Sequence, residues 1–251
     1  MRVRYLSSLL LPLACLGLWQ AVSSSRIVSP ATLASPIEVL AALPLFFSSN
    51  GFLPDLVMTV QRSVIAFLTS VPIGLGIGLA LFYTGAGGSF NESFLDFLRS
   101  IPATALVPIF LLLFGIGDAP KIAAGVFSSS LVICLATLAG LKNRNLTRLA
   151  VTKILRIPRL QRFVYLDLPE SLSQIFVGLR AGVSLALILV VVGEMTIGSN
   201  RGLGRVINDL RGSDQIPAVY GALIVLGFIG YGYNKLLLWL ENRSMHWRGN
   251  V

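Results

Sequence analysis

The chain has 251 residues, of which 55% are hydrophobic and only 12% are charged, and its mean hydropathy is +0.80. Soluble domains carry about a quarter charged residues, so the composition excludes an ordinary soluble protein and predicts an all-α, polytopic membrane protein. The net charge is +9, but the basic residues lie between apolar runs, which indicates membrane orientation and not a nucleic-acid partner. Cys15 and Cys134 each lie within an apolar run, so neither a metal site nor a disulfide is expected.

The first apolar run, residues 6–22, follows two arginines and is long enough to cross a membrane. A cleaved signal peptide is the alternative, because residues 21–23 resemble a cleavage site, but the run exceeds the usual signal-peptide core. A retained first helix is therefore favoured. We expect residues 23–36 to form a loop, and residues 36–47 a helix that is too short to span and lies on the outer surface.

The second predicted span, residues 63–83, is uncharged and contains Gly74, Gly76 and Gly78. A dinucleotide-binding loop would need a strand before these glycines and a polar helix after them, and neither is present. Gly74 and Gly78 are separated by three residues, which is the spacing of a small-residue face for close helix packing in lipid. Helix packing is therefore the favoured role.

The third predicted span, residues 101–116, follows a polar interval at residues 85–100 and contains two prolines. Proline inside a spanning helix frees backbone carbonyls and kinks the helix. Pro102 and Pro108 are therefore candidates for a translocation path, although purely structural membrane helices are also kinked.

The fourth predicted span, residues 122–141, begins after a tight turn at residues 117–121. It carries Ser128, Ser129 and Ser130 into the bilayer, and these serines are further candidates for the path. Their hydroxyl groups either contact a solute or hydrogen-bond back to their own helix. The second role is favoured for any single serine, and both stay open.

The only long polar interruption is the basic loop, residues 142–170. Its seven basic residues are Lys142, Arg144, Arg148, Lys153, Arg156, Arg159 and Arg162. On a helix, polar and apolar residues of this loop form two neighbouring stripes. The polar stripe is Arg144, Arg148, Thr152 and Arg156, and the apolar stripe is Leu146, Ala150, Val151, Ile154 and Leu155.

The helix in the basic loop is expected to end at Ile157-Pro158, because proline disfavours helical geometry in the residue before it. A second short helix is predicted over residues 159–166, and Leu168-Pro169 is expected to turn the chain back. Two short amphipathic helices between apolar runs indicate a platform at the membrane surface for a soluble partner. A charged loop held by anionic lipid is the alternative.

The fifth predicted span, residues 171–194, contains Gly178 and Gly182, which repeat the spacing for helix packing. Arg180 and Glu194 would lie about 21 Å apart along the helix and cannot pair within it. Glu194 is expected near the outer end. A membrane-embedded carboxylate is a candidate for function, and a structural contact with a neighbouring helix or a loop amide is the alternative.

Residues 195–217 are predicted as a loop, residues 218–240 as the sixth span and residues 241–251 as a short basic tail. Six spans place both termini on one side of the membrane. That side holds the basic loop and more Lys and Arg residues than the opposite side. By the positive-inside rule, the basic loop and both termini are therefore expected in the cytoplasm.

The chain lacks the residues for its own catalysis. Its one histidine is His246, so neither a histidine-based catalytic triad nor a two-histidine metal site is possible. It has no Gly-Lys-Ser or Gly-Lys-Thr phosphate-binding loop. We therefore expect no enzyme activity and no cofactor in this chain. Uphill transport would take its energy from elsewhere.

In their order and spacing, several short segments resemble the permease subunits of binding-protein-dependent ABC importers, type I. The similarity is nearer to the branch that serves nitrate, sulfonates, taurine and bicarbonate, and it runs from Ser35-Pro36 to Trp247. The segments are Phe97-Leu-Arg-Ser-Ile-Pro-Ala-Thr-Ala-Leu-Val-Pro108, Phe114-Gly-Ile-Gly-Asp118, Leu168-Pro169, Gly178-Leu-Arg180, Val192-Gly-Glu194 and Arg201-Gly-Leu-Gly204.

The family carries a cytoplasmic motif of Glu-Ala-Ala, three residues and Gly, followed about twelve residues on by Leu-Pro. Counted back from Leu168-Pro169, the first three positions are Ala150-Val151-Thr152 and the glycine position is Arg156. The acid is missing and the glycine is replaced. The resemblance nonetheless implies that this loop couples to an ATPase. The coupling candidates are Leu149, Ala150, Val151, Thr152, Leu155, Arg156, Ile157 and Pro158.

The resemblance implies one transmembrane permease domain over residues 1–251. Two permease copies, identical or sister chains, would surround a path for a small solute, which this branch suggests is an anion. Residues 149–159 would insert into a cytoplasmic ATPase, and an external binding protein would deliver the solute. The alternatives are an ATPase-independent channel or secondary carrier and a purely structural membrane subunit.

Overall fold

The computed structural model describes residues 2–29, 32–48, 51–85 and 89–245, and these residues fold into helices joined by short turns. The α-helices are α1 (Arg2–Ser24), α2 (Pro36–Ser48), α3 (Phe52–Tyr83), α4 (Ser89–Ser100), α5 (Val107–Phe114), α6 (Ala119–Lys142), α7 (Leu146–Ile154), α8 (Arg159–Arg162), α9 (Leu168–Thr196), α10 (Leu203–Gly212) and α11 (Ile216–Ser244). A 3₁₀ turn, Ala103–Leu106, precedes α5, and a π-helical segment, Phe163–Asp167, joins α8 to α9. Pro30 of the predicted loop, residues 86–88 and the tail residues 246–251, with His246 and Trp247, lie outside the described residues.

Within the described residues, four stretches of helix are long and apolar enough to cross a membrane: Phe52–Tyr83, Ala119–Lys142, Arg159–Thr196 and Ile216–Ser244. A bent pair of helices, Ser93–Ser100 and Ala103–Phe114, would be a fifth span if it counts as one. The predicted all-helical, polytopic class is thus confirmed. The apolar helix Leu10–Ser24 is shorter, and the predicted total of six spans stays a prediction.

The predicted third span, residues 101–116, is not one kinked helix. The chain bends by 75° between the two helices of the pair. Pro102 lies at this bend with φ −59° and ψ 112°. The helix before it ends at Ser100 because proline disfavours the helical region in the preceding residue, Ile101. Pro108 lies in the first turn of α5, where its missing N–H costs nothing, so it starts a helix instead of kinking one.

Helices α3, α6 and α9 form the centre of the fold, and glycines on α3 and α9 face α6. A Cβ atom on Gly74 would lie 2.7 Å from Ile133 Cβ and from Ser130 O, and one on Gly78 would lie 2.8 Å from Thr137 Cβ. On α9, a Cβ on Gly178 would overlap Ala136 Cβ, and one on Gly182 would lie 3.1 Å from Ile133 Cδ1. These positions allow the helix backbones to approach closely.

The basic loop differs from the prediction in its helix ends. Helix α7 begins at Leu146 because the Asn145 side chain accepts hydrogen bonds from Thr147 N (2.9 Å) and Arg148 N (3.2 Å). It ends before Arg156, whose φ is +51°. The predicted polar stripe is therefore not formed, since Arg144 precedes the helix and Arg156 follows it. Leu168-Pro169 does not turn the chain back, because Pro169 lies in the first turn of α9.

The predicted loop at residues 195–217 contains helix α10, which packs against α3, α9 and α11. Its Leu203 and Ile207 are buried in an apolar cluster. The other buried members of that cluster are Phe46, Phe52, Ala222 and Val225. This cluster fixes α10 over one end of the α3–α9 pair, at the opposite end of α9 from the basic loop.

Candidate functional site

The basic loop presents apolar side chains that nothing in the described chain covers. Leu146 is 76% exposed, Ile154 77% and Leu155 66%, and helix α7 has no buried residue. Apolar side chains grouped in this way mark contact sites with partners or membranes. The exposed apolar face of α7, defined as Leu146, Val151, Ile154 and Leu155, is the first candidate site.

The residues predicted to couple to an ATPase divide into two groups by exposure. The exposed group is Ala150, Val151, Leu155, Arg156 and Pro158. The partly buried group is Leu149, Thr152 and Ile157. The Thr152 hydroxyl donates to Leu149 O of its own helix (2.8 Å). The exposed group is thus available to a partner, while the other three are partly covered by this chain.

At the other end of α9, Glu194 is buried with a relative exposure of 1% and receives hydrogen bonds from three directions. Arg62 Nη1 donates to its Oε1 (2.6 Å), the Thr59 hydroxyl donates to its Oε2 (2.9 Å), and Gly204 N donates to its Oε2 (3.0 Å). Both carboxylate oxygens are therefore satisfied by groups from α3 and α10. Glu194 thus contacts two neighbouring helices, and whether it also has a role in function stays a prediction.

Three consecutive backbone N–H groups at the start of α10, those of Gly202, Leu203 and Gly204, donate to side chains. Gly202 N donates to Asp55 Oδ1 (2.8 Å), and Leu203 N donates to Thr59 Oγ1 (2.8 Å). Helix N-termini leave such donors unpaired and carry a partial positive charge, so acidic partners stabilise them. Gly202 has φ +134°, and a Cβ there would overlap the Glu194 carboxylate. The close approach of the Glu194 carboxylate and the positive φ together explain why glycine occupies position 202.

Arg62 also connects Glu194 to the turn before α6. Its Nη2 lies 2.7 Å from Asp118 Oδ1, and its Nη1 donates to Arg201 O (2.7 Å). Lys121 Nζ lies 3.7 Å from the same Asp118 oxygen, with only 2% of the lysine side chain exposed. We call Asp55, Thr59, Arg62, Asp118, Lys121 and Glu194 the outer cluster, after the side of the membrane on which this end of α9 is predicted to lie. It joins the ends of α3, α6, α9 and α10.

The remaining path candidates are not brought together with Glu194. Pro102 and Ser128 line an open groove of about 460 Å³ that Arg99 and Leu185 also line. Ser129 donates to Gly182 O of α9 (2.8 Å), and Ser130 donates to Phe127 O of its own helix (3.0 Å). Only Ser128 among the three serines lines this groove. The described residues contain no group of three or more His, Cys, Asp or Glu side chains that could hold a metal ion.

Sequence reasoning singled out Glu194 but missed its partners in the outer cluster. Neither Arg62 nor Lys121 was assigned a role from the sequence, yet both are buried. A basic residue directly beside an uncharged span, such as Arg62 before Ser63, is the signal that could have indicated pairing with the embedded acid.

These features together define a class. The chain is a helical membrane protein whose spans leave an open groove, and a short helix between two spans exposes an apolar face. It has no nucleotide-binding loop of its own. A multi-pass helical protein with a groove along its spans has the architecture of a membrane permease.

The chain belongs to the family described as binding-protein-dependent transport system inner membrane component, whose model matches residues 70–243. It is a permease subunit of an ABC importer and a multi-pass membrane protein. This confirms the resemblance to importer permeases drawn from the sequence motifs, and the relatives SsuC and TauC are consistent with the branch to which it pointed.

Its curated relatives are similar over nearly their whole length. The aliphatic sulfonates transport permease protein SsuC of Bacillus subtilis is 25% identical over 99% of this chain and 90% of the relative. The taurine transport system permease protein TauC of Escherichia coli is 25% identical over 94% and 87%. The formylaminopyrimidine transport permease protein ThiX of Halalkalibacterium halodurans is 29% identical over 92% and 91%.

Solved structures share the fold at low sequence identity. A chain of the MetNI methionine ABC transporter in an inward-facing conformation has a TM-score of 0.61 and 15% identity, covering 77% of this chain and 94% of that one. A chain of an amino acid ABC transporter has a TM-score of 0.60 and 19% identity, covering 82% and 97%. The helical arrangement is therefore that of ABC importer permeases.

Proposed function

We propose that this permease carries a small solute inward, driven by a separate cytoplasmic ATPase that docks on the exposed apolar face of α7. The observation that carries the proposal is the exposure of Ile154 (77%) and Leu155 (66%) on a helix that buries none of its residues. An apolar helix face laid into a groove of a partner is a common mode of recognition.

The docking test uses a tagged chain purified in mild detergent from its own host. The wild type should retain a stoichiometric ATPase, and Leu155→Asp should lose it because a charge at the centre of an apolar contact is left desolvated. Ile157→Asp should also uncouple ATP hydrolysis from uptake, but Ile157 is partly buried, so Leu155→Asp is the cleaner change. Ile27→Asp is a matched control, since Ile27 is 83% exposed on the predicted outer side.

An ATPase-independent channel or carrier would give the opposite result. The wild type would then purify without an ATPase, and uptake would survive ATP depletion. A purely structural subunit would show no solute dependence. Unchanged uptake and ATPase retention in Leu155→Asp would refute docking on α7.

The proposed orientation places the basic loop and both termini in the cytoplasm, as the positive-inside rule favours. Single cysteines introduced by Arg148→Cys and Ile27→Cys, in a chain without Cys15 and Cys134, test it. A membrane-impermeant thiol reagent on intact cells should label the Ile27→Cys chain alone. Labelling of the Arg148→Cys chain would place the loop outside and remove the docking proposal with it.

For the solute, we propose a small sulfonate-type anion. The names of the SsuC and TauC relatives, for aliphatic sulfonates and taurine, support this class. The ThiX relative, named for formylaminopyrimidine, supports an uncharged heterocycle as a second candidate. Proteoliposomes with the ATPase and the binding protein, challenged with taurine, methanesulfonate, nitrate, bicarbonate and an aminopyrimidine, separate these classes.

The proposed complex contains two permease copies, two ATPase subunits and an external binding protein. Movement of the docked α7 helices would change access to the solute path, provided that the soluble partners bind the two conformations with different affinity.

A further inference from the structure

Helix α7 is held by its ends and not by its sides. No residue of α7 is buried, so apolar packing does not fix its position against the membrane spans. Its first residues are tied to α9 by Glu170, which accepts hydrogen bonds from Asn145 N (2.8 Å) and from Arg148 Nη1 (3.0 Å). The Arg148 side chain is 68% exposed, and such exposed ion pairs contribute little. A stronger connection is needed if α7 is to move the spans.

The buried carboxylate of Asp167 provides that connection. It is fully buried, with 0% exposure. Arg144 Nη1 donates to its Oδ1 (2.8 Å), while the Tyr83 hydroxyl (2.8 Å) and Arg162 Nε (3.3 Å) donate to its Oδ2. We call these four residues the Asp167 cluster. Every strong donor around the carboxylate comes from a different segment of the chain.

The members of the Asp167 cluster join the basic loop to two spans. Tyr83 is the last residue of α3, and Arg144 directly precedes the cap of α7. Arg162 is the last residue of α8, and Asp167 ends the π-helical segment that leads into α9. One carboxylate therefore fixes both ends of the α7–α8 segment to α3 and α9. Charge-assisted hydrogen bonds of this kind are stronger than neutral ones.

Two local features strengthen this arrangement. The Arg144 guanidinium lies 4.8 Å from the centre of the Phe82 ring, so the same arginine also contacts α3 through a cation–π interaction. The π-helical segment closes with Leu168 N donating to Phe163 O. Within it, Tyr165 is 80% exposed while Leu166 and Asp167 are buried. Single π-helical turns inside helices are frequent at functional sites.

We infer that Asp167 is a positioning residue that transmits displacement of α7 to α3 and α9. By this connection, ATP hydrolysis in the docked ATPase drives movement of the spans. This inference rests on the proposed docking of an ATPase on α7. Asp167 is buried, so it does not contribute to the docking surface. Its loss therefore separates docking from coupling, which a docking residue such as Leu155 cannot do.

The test compares Asp167→Asn with the wild type in the complete transporter, reconstituted with its ATPase and binding protein in proteoliposomes. Asparagine keeps the size of the side chain but removes the charge that holds two arginines. Retention of the ATPase should be unchanged, while the solute imported per ATP hydrolysed should fall by about fivefold or more, the lower end of common coupling strengths. Asp167→Glu, which keeps the charge, should restore part of the ratio.

A matched control is Asp209→Asn on α10, since Asp209 is an exposed carboxylate whose partner Arg205 lies 3.0 Å away. It should leave the transport ratio unchanged. If Asp167→Asn also leaves the ratio unchanged while the wild type couples, the inference is overturned and the proposed function stands. If the wild type retains no ATPase, docking itself is refuted, and the inference is withdrawn with it.

A second pair of variants applies if Asp167→Asn fails to assemble. Tyr83→Phe removes one hydrogen bond to the carboxylate, Arg144→Gln removes the charge that bonds the carboxylate and contacts Phe82, and both leave Asp167 in place. A fall in the transport ratio in an intact complex of either variant supports the inference. An unchanged ratio in both, together with intact wild-type coupling, overturns it.

Discussion

Arg62 and Glu194 form a buried ion pair, with 2.6 Å between Nη1 and Oε1 and side-chain exposures of 5% and 0%. The two residues are separated by 132 positions, and they join α3 to the outer end of α9. Glu194 Oε2 also accepts a hydrogen bond from Gly204 N of α10 (3.0 Å). The pair therefore fixes three helices at the end of the bundle opposite to the basic loop.

Removing the charge of Glu194 should destabilise the fold. Glu194→Gln keeps the shape but removes one of the two carboxylates that pair with Arg62, while Asp118 Oδ1 still lies 2.7 Å from Arg62 Nη2. The expected loss is about 1–3 kcal/mol, below the value for a buried charge left without any partner. Thermal unfolding of the purified protein in detergent measures the loss. Asp209→Asn on the exposed face of α10 is the control, with an expected change within about 0.5 kcal/mol. If Glu194→Gln and Asp209→Asn unfold at the same temperature, the outer cluster does not hold the helices together.

The glycines of α3 give a matched pair for testing helix packing. A Cβ at Gly74 would lie 2.7 Å from Ser130 O, a backbone atom that cannot give way, whereas a Cβ at Gly76 meets nothing within 4 Å. Gly74→Ala should destabilise by about 1–3 kcal/mol through overpacking. Gly76→Ala should be neutral or stabilising by up to about 1 kcal/mol, because alanine is the better helix former. Thermal unfolding in detergent distinguishes them, and a reversed order would contradict close packing of α3 on α6.

The start of α2 should respond to pH through Glu38. Ser35 N donates to Glu38 Oε2 (2.7 Å) and Glu38 N donates to Ser35 Oγ (3.2 Å), which is a capping box. Hydrogen bonds with Ser35 hold the pKa of Glu38 below its ordinary value. The bond to the Ser35 backbone contributes most, and the bond with its hydroxyl contributes less. A carboxyl group with a lowered pKa stabilises the folded state above its unfolded pKa, and that stabilisation is lost as the pH falls through the folded pKa.

Amide exchange in α2 measures this effect. Wild type should be better protected than Glu38→Gln at neutral pH. The difference should begin to shrink below about pH 4.3, the ordinary value for glutamate, and disappear once the folded-state carboxylate is protonated. A difference that is constant over this range would exclude the charge of Glu38 as its source.

The sequence predicted those parts of the fold that lipid dictates. The long apolar runs at residues 63–83, 122–141 and 218–240 lie within helices of the structure, because a membrane span must satisfy its backbone internally. A loop was predicted in place of helix α10, because this segment is short and carries several charged residues. Its apolar Leu203, Val206, Ile207 and Leu210 nevertheless follow helical spacing.

The candidate sites were only partly predictable. The amphipathic pattern of the basic loop indicated an exposed helix, since that pattern is local. Which residues pair with Glu194 and Asp167 depends on how distant helices pack. The Arg62–Glu194 ion pair joins residues 132 positions apart, and the Tyr83–Asp167 hydrogen bond joins residues 84 positions apart. The ends of α7 depend on Asn145 and Arg156, one a cap and the other a residue with unusual backbone geometry.

The backbone geometry at Arg156 predicts the effect of placing a glycine at this position. Arg156 has φ +51°, and its neighbour Ile157 N donates to Thr152 O (3.0 Å) while Arg156 N donates to Lys153 O (3.1 Å). This is the helix ending in which glycine is favoured, because a side chain in the left-handed region is strained. Arg156→Gly should therefore stabilise this turn by about 1 kcal/mol.

Amide exchange at the end of α7 tests the Arg156→Gly prediction, since stronger protection of Ile157 N and its neighbours is expected. Arg159→Gly is the control, because Arg159 begins α8 with ordinary helical geometry and should lose stability by up to about 1 kcal/mol. The Arg156 side chain is exposed, so Arg156→Gly also asks whether its charge contributes to the partner surface. Weaker ATPase retention despite a more stable turn would show that arginine stands at the glycine position for binding, whereas weaker amide protection would contradict the strained turn itself.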